Sequence, residues 1–536
     1  MKNQPSTTNS YHVMFLVLCA FVLGSRAYFF LETPDQEGFD PLYLKALDQH
    51  FWEYLSYTHI KPPLTYLTHG ALVKVFGVEA MRSGQLTLMF AFCLNIIGLI
   101  FFWATLRLLK IPKGIIILSV GLYSIYVLPI EFWRFGKHYA HLSYAFTSIF
   151  IFCLVKYIQE LNFKTGTYLS LASAVILSLN SMYMLIAPGL IVAANLIHFL
   201  ELKSFRAFFK SNGIILVFPI FIASVICFKN YATTGVFAPS TIGGGALSLV
   251  SERVADRDAD QLRPVIIKAG VPEWYIWCFD RPYGAEYVEE HGLVVISNSR
   301  SFGTCSPPAA RNTDSYPYDL SELRNYLDKT GQVHALAKVE QDIYNMKHRK
   351  YLFSGFAADL SMHWSALYMG QGAKIYWYDL TQNPQKYMRM YLTLLDAYFN
   401  GAKYPLDALK QSKIPKDGSG YKILKSVESL LGNVMHYILL PLFLGTALYL
   451  IFVFSKLLIG CLKGQSDPDD WKHSDSVCFV LSLSVLCQTV LFSTIVGEEN
   501  SRYFMYTAPY IAVICVVVMA PSLKYFKRKN RILDKN

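Results

Sequence analysis

The sequence predicts an α-helical polytopic membrane protein of about ten transmembrane helices, with an extracytoplasmic mixed α/β insertion. Three observations predict it. Of 536 residues, 53% are hydrophobic and only 16% charged, against roughly 25% charged in a soluble domain. Apolar runs long enough to cross a bilayer recur at both ends of the chain, and a polar, aromatic, turn-rich stretch separates them. The net charge of +11 sits in short clusters between the runs, a positive-inside distribution that argues against a nucleic-acid partner.

The runs lie at 13–31, 84–106, 114–132, 139–158, 166–183, 185–200, 213–228, 435–455, 477–496 and 505–522. With the N-terminus in the cytoplasm, the inner segments hold Lys2; Arg107, Lys110 and Lys113; Lys156 and Lys164; and Lys203, Arg206 and Lys210. Lys456, Lys463, Lys472 and the tail "KYFKRKNRILDK" follow on the same side. The first run has small residues around a cleavable position in "SRA", but Arg26 and the weakly charged segment before it favour a retained span. A multi-pass protein of the bacterial inner membrane is expected. It divides into a membrane half, 1–229, with one long outer loop at 32–82; an outer insertion, 230–434; and closing membrane helices with a basic tail, 435–536.

In the outer loop, "FDPLYLKALDQHFWEYLSY" puts Leu42, Leu44, Leu47, Phe51 and Leu55 at helical spacing, so the segment should lie along the membrane surface. "ALVKVFGV", after "KPPLTYLTHG", reads as a second interfacial piece. In the insertion, "SERVADRDADQLR" and "LSELRNYLDKTGQVHALAKVEQDIYNMKHRK" read as exposed helices and "LVVIS" as a short strand. Eight of the ten cysteines lie in or beside apolar runs, where they serve as packing residues. Cys278 and Cys305 alone lie in the insertion, where an oxidising compartment would let them pair.

Asp35, Glu37, Asp40 and Asp48 crowd the first outer loop. They read either as solvated charges with one helix cap, or as the source of a general base held at the membrane surface. Asp40, before Pro41, is the strongest candidate because a cap fixes its direction. Lys61, before Pro62 and Pro63, is either a snorkelling interfacial lysine or a cation held by a rigid turn against a lipid-borne phosphate. "EFWRFGKHYAHLSYAF" sets Glu131, Arg134, Lys137, His138 and His141 at an outer span boundary. Cations there oppose the positive-inside trend, which points to function. His138 and His141, three apart, either pack or share a divalent metal. "VGEENSRYFMYTAPY" repeats the pattern with Glu498, Glu499 and Arg502, and Lys229 adds a cation where the seventh span exits.

"FDPLYLKALDQHFWEYLSYTHIKPPL" resembles the first outer loop of the GT-C membrane glycosyltransferases, in the branch of the dolichyl-phosphate-mannose protein mannosyltransferases and bacterial aminoarabinose transferases. Asp40, Tyr43 and Lys61-Pro62-Pro63-Leu64 match that branch's acidic residue, tyrosine and Lys/His-Pro-Pro-Leu signature. Arg134 to His141 and "ENSRYFMYTAPY" are similar to its later Arg-containing elements. The resemblance covers 10–235 and, more loosely, 435–520, leaving out the insertion. Pro41 stands where the family pairs its aspartate with a glutamate, and Asp35 and Glu37 lie upstream as alternative bases. The resemblance implies a GT-C-like fold and transfer of a sugar from a polyprenyl-phosphate donor to a hydroxyl of a glycan, lipid or protein acceptor on the outer face. It implies Asp40 as base and Lys61, Arg134 and Arg502 around the donor phosphate. Tyr43, Lys137, His138, His141, Lys229 and Glu499 would complete the substrate site, and no cofactor is certain. A transporter of a lipid-linked saccharide would use the same cations without a base, and would show paired repeats, of which the sequence has none. A receptor whose aromatic insertion binds a ligand is the third class.

Overall fold

A computed structural model describes residues 62–82, 85–126, 138–160, 162–180, 183–202, 205–234, 237–240, 294–295, 305–306, 473–495 and 509–518, with scattered residues in 14–18, 44–55, 264–268, 378–389 and 426–459. In chain order the helices are α1 (Leu64–Phe76), α2 (Val78–Arg82), α3 (Gln85–Leu108), α4 (Lys113–Tyr126), α5 (His138–Glu160), α6 (Phe163–Leu179), α7 (Tyr183–Leu202), α8 (Phe205–Thr234) and α9 (His473–Ile495). A further apolar helix, α10, spans Pro509–Val518. Strands β1 (Val294–Val295) and β2 (Cys305–Ser306) pair antiparallel, and β1 lies in the expected "LVVIS". Among the described residues, three helical stretches are long and apolar enough to cross a bilayer: Met89–Leu108, His141–Glu160 and Ile215–Ala232. The described part is that of a helical membrane protein.

Helices α3 and α5 pack side by side, α6 fits between α5 and α8, and α7 packs against α8 and α9. Between lipid-facing helices there is little hydrophobic driving force, so close packing and polar pairs hold the bundle. Helix α6 meets this need with small buried residues, Gly166, Ser170, Ser173 and Ala174. Hydroxyls on the helices satisfy themselves on carbonyls one turn back: Thr105 Oγ1 donates to Phe101 O at 2.8 Å and Ser173 Oγ to Leu169 O at 2.7 Å. Two side-chain pairs join α5 to α7. The hydroxyls of Thr147 and Tyr183 lie 3.0 Å apart, and Tyr157 Oη donates to Asn195 Oδ1 at 2.8 Å.

The two ends of the bundle differ in chemistry. At one end Gln159 Nε2 of α5 donates to Leu108 O, the last carbonyl of α3, at 3.1 Å. That end carries Arg107, Lys110, Lys113, Lys156 and Lys164 in or beside the helix termini. Arg107 lies over the Trp103 ring, 4.8 Å from its centroid, and Lys156 pairs with Glu160 at 3.8 Å. Phe15 stacks on Trp103 at 5.0 Å, so the first run begins at this end. The opposite end gathers the starts of α1, α5 and α7 and the end of α6.

Helix boundaries shift from the expected ones for local reasons. Asn162 caps α6, its Oδ1 accepting from Thr165 N at 2.9 Å, so the helix starts three residues before the expected run. Asn180, in extended conformation, ends it after Leu179. Helix α8 runs well past 213–228 at both ends. The second piece expected at "ALVKVFGV" starts earlier, as part of one helix "LTYLTHGALVKVF", and it stops where Gly77 takes φ 85°.

Candidate functional site

The start of α1 is set by its prolines. Pro62 and Pro63 lack an amide hydrogen that the first turn could not use, and Pro63 O accepts from Leu67 N at 2.9 Å. Helix α1 then lies against the 44–55 segment. Leu44 and Leu47 are fully buried with Tyr66, Val73 and Met81, and Phe51 and Leu55 pack on the same cluster. That matches the helical spacing read in "FDPLYLKALDQHFWEYL". Gly70 is required there, because a Cβ at that position would run into the Phe51 ring. Lys74 closes the pair, bonding to Asp48 O and reaching Asp48 Oδ1 at 3.3 Å. Asp48 thereby links the two pieces through its backbone carbonyl and an exposed ion pair.

Leu64, the residue that completes Lys-Pro-Pro-Leu, packs with Phe90 and Phe146 against a cluster of Leu94, Leu142, Ala145 and Leu179. Next to two members of that cluster stand two buried polar residues, Asn95 on α3 and His141 on α5. Asn95 Nδ2 donates to Ala91 O at 2.7 Å and lies 3.1 Å from His141 Nδ1. The amide has two hydrogens and both are used, so Nδ1 is the acceptor. Neutral His141 therefore carries its proton on Nε2. One turn farther along the same helices, the Tyr144 ring fills the space left by Gly98. Tyr144 lies 5.8 Å from Tyr123, which stacks on Phe102 at 4.2 Å.

His141 is thus buried at the start of α5, and His138 is the first residue of the same helix. Lys229 lies half-buried near the end of α8. Beside it, Asn230 Nδ2 donates to Ala238 O at 2.8 Å and folds the following chain back onto the helix. Cys305 is in β2, opposite Val295. Asp35, Glu37, Asp40, Tyr43, Lys61, Arg134, Lys137, Glu499, Arg502 and Cys278 lie outside the described residues. Among the described residues no three His, Cys, Asp or Glu side chains gather as a metal site.

Sequence reasoning missed Asn95. The signal was there: a lone amide inside "FAFCLNIIGLIFF" is costly in a span unless it is partnered or functional. It likewise missed the polar group on α9 and α10, where Gln488 Nε2 donates to Ser484 Oγ at 2.9 Å near the buried Tyr510. Tyr510 closes the "SRYFMYTAPY" element and belongs to the main core of the bundle with Tyr183 and Phe150. Comparison with protein-family models, curated proteins and solved structures finds no match to the chain.

Proposed function

We propose that this chain is a GT-C-like membrane glycosyltransferase, moving a sugar from a polyprenyl-phosphate donor to an acceptor hydroxyl on the outer face of the bacterial inner membrane. One observation carries the reading: Leu64 packs on the cluster that contains Leu142 and Leu94. The Pro-Pro-Leu start of α1 and the start of α5 therefore meet at the end of the bundle opposite the cation-rich one. Each of these two helix starts follows candidate site cations in the sequence, Lys61 before α1 and Arg134 and Lys137 before α5. A lipid-phosphate site needs that combination.

The acceptor oxygen bonds to the anomeric carbon of the donor sugar as the bond from that carbon to the phosphate oxygen breaks. The acceptor proton passes to Asp40, with Asp35 or Glu37 as the alternative base, and polyprenyl phosphate leaves. Lys61, Arg134 and Arg502 stabilise the charge that collects on the departing phosphate, where preorganised cations act most strongly. Tyr43, Lys137, His138, Lys229 and Glu499 supply further substrate contacts.

Transfer and donor binding by purified protein in lipid test this reading together. Asp40→Asn should bind donor normally and lose about 10²–10⁴ in rate, the usual worth of a general base. Lys61→Ala should weaken both binding and turnover, and Lys61→Arg should restore them only in part. Donor binding without transfer by the native protein would make it a transporter. Full transfer by Asp40→Asn, Asp35→Asn and Glu37→Gln alike would leave the enzyme reading without its base.

A further inference from the structure

Asn95 is 7% exposed and His141 1%. Both amide hydrogens of Asn95 are spent, on Ala91 O and on His141 Nδ1. Turning the amide over would set Oδ1 against Ala91 O, acceptor against acceptor, so its orientation is fixed. Oδ1 then points away from both partners and has no hydrogen-bond partner among the described residues. A buried acceptor left in this state is costly, and in a native protein it calls for an explanation.

We propose that Asn95 Oδ1 is a hydroxyl-binding subsite, accepting a hydrogen bond from a sugar hydroxyl of the polyprenyl-phosphate donor, with His141 holding the amide in register. This rests on the glycosyltransferase reading. The chemistry selects the ligand class. A neutral carbonyl-type acceptor repels phosphate oxygens and takes an uncharged donor, which a sugar hydroxyl supplies. The adjoining core cluster of Leu94, Leu142, Ala145 and Leu179, with the partly buried Leu64, Phe90 and Phe146 packed on it, makes the surroundings apolar, as the carbon face of a sugar ring and the first lipid units require. Leu64 follows Lys61, the candidate phosphate contact, by three residues in the sequence.

The experiment measures binding to native protein and Asn95→Leu in nanodiscs, without acceptor. The probes are a panel of polyprenyl-phosphate hexoses and pentoses, then single-deoxy versions of the tightest binder. One deoxy position should weaken binding to the native protein about tenfold, the worth of one hydrogen bond at a desolvated acceptor. Asn95→Leu should bind the parent donor about tenfold less tightly and should no longer distinguish that deoxy analogue. Equal binding of every deoxy analogue by the native protein would overturn the subsite and assign Oδ1 to water, a result that needs no variant to fold. Discrimination that persists in Asn95→Leu, or that appears only among deoxy acceptors in the transfer assay, would also overturn it. Failure of the native protein to bind any member of the panel would instead refute the glycosyltransferase reading, and the subsite with it.

Discussion

Gly98→Val tests how α3 and α5 approach each other. A Cβ at Gly98 would stand 2.7 and 2.8 Å from Tyr144 Cδ1 and Cζ and nearer still to Cε1, far inside ordinary contact. The Tyr144 ring cannot simply retreat, because it is buried and backed by Tyr123, itself stacked on Phe102. Overpacking of this kind costs about 1–3 kcal/mol, and valine's branched side chain puts the expectation at the upper end, about 2–3 kcal/mol. Tyr144→Ala alone should cost about 3–5 kcal/mol through the cavity it opens. In the double variant valine fills part of that cavity. The pair should therefore be less destabilised than the sum of the single changes by at least about 1 kcal/mol, as expected of residues in contact. Denaturant titration in mixed micelles, followed by tryptophan fluorescence, gives the four midpoints. Additivity within about 0.5 kcal/mol would refute the claim that these two residues set the helix spacing.

Tyr157→Phe should destabilise the bundle by about 0.6 kcal/mol, and by no more than about 1.7, the range for hydrogen bonds between membrane helices; an unchanged midpoint would show that the bond to Asn195 contributes nothing. Lys74→Ala should cost less than about 1 kcal/mol, since both partners of the Asp48 pair are substantially exposed. A larger loss that persists in high salt would contradict this. Cys278 and Cys305 are expected to be disulfide-bonded, stabilising the insertion by about 3 kcal/mol, and finding both as free thiols in non-reducing peptide maps would exclude it. Cysteines introduced at 320–345 should react with impermeant reagents on intact cells; labelling only after the membrane is broken would reverse the topology.

The helical membrane character was legible because hydrocarbon tolerates few side chains, and a long run such as 84–106 leaves little freedom before it becomes Gln85–Leu108. Boundaries were less so. The extra turns of α8 contain Arg206 and Lys210, which read as a loop because composition cannot tell a solvated helix end from a connection. The continuity of α1 through Gly70 was hidden because glycine usually marks a turn, whereas here it makes room for Phe51. The histidine at 141 could be singled out by its position. Its bond to Asn95, 46 residues away, could not, because that depends on the relative rotation of two helices, and apolar runs that are hydrophobic all round carry no such information. For the same reason the convergence of Leu64 with Leu142 is knowledge that only packing supplies.

The bond between Tyr157 and Asn195 also bears on biogenesis. A chain made from its N-terminus delivers α5 to the bilayer before α7 exists. Until then the Tyr157 hydroxyl has no Asn195 to receive it, and α5 lacks the roughly 0.6 kcal/mol that such a bond contributes between membrane helices. Holding α5 until α6 has turned the chain around and α7 has arrived beside it lets that bond form. The three helices have reason to leave the insertion machinery as a group, with this hydrogen bond closing the set.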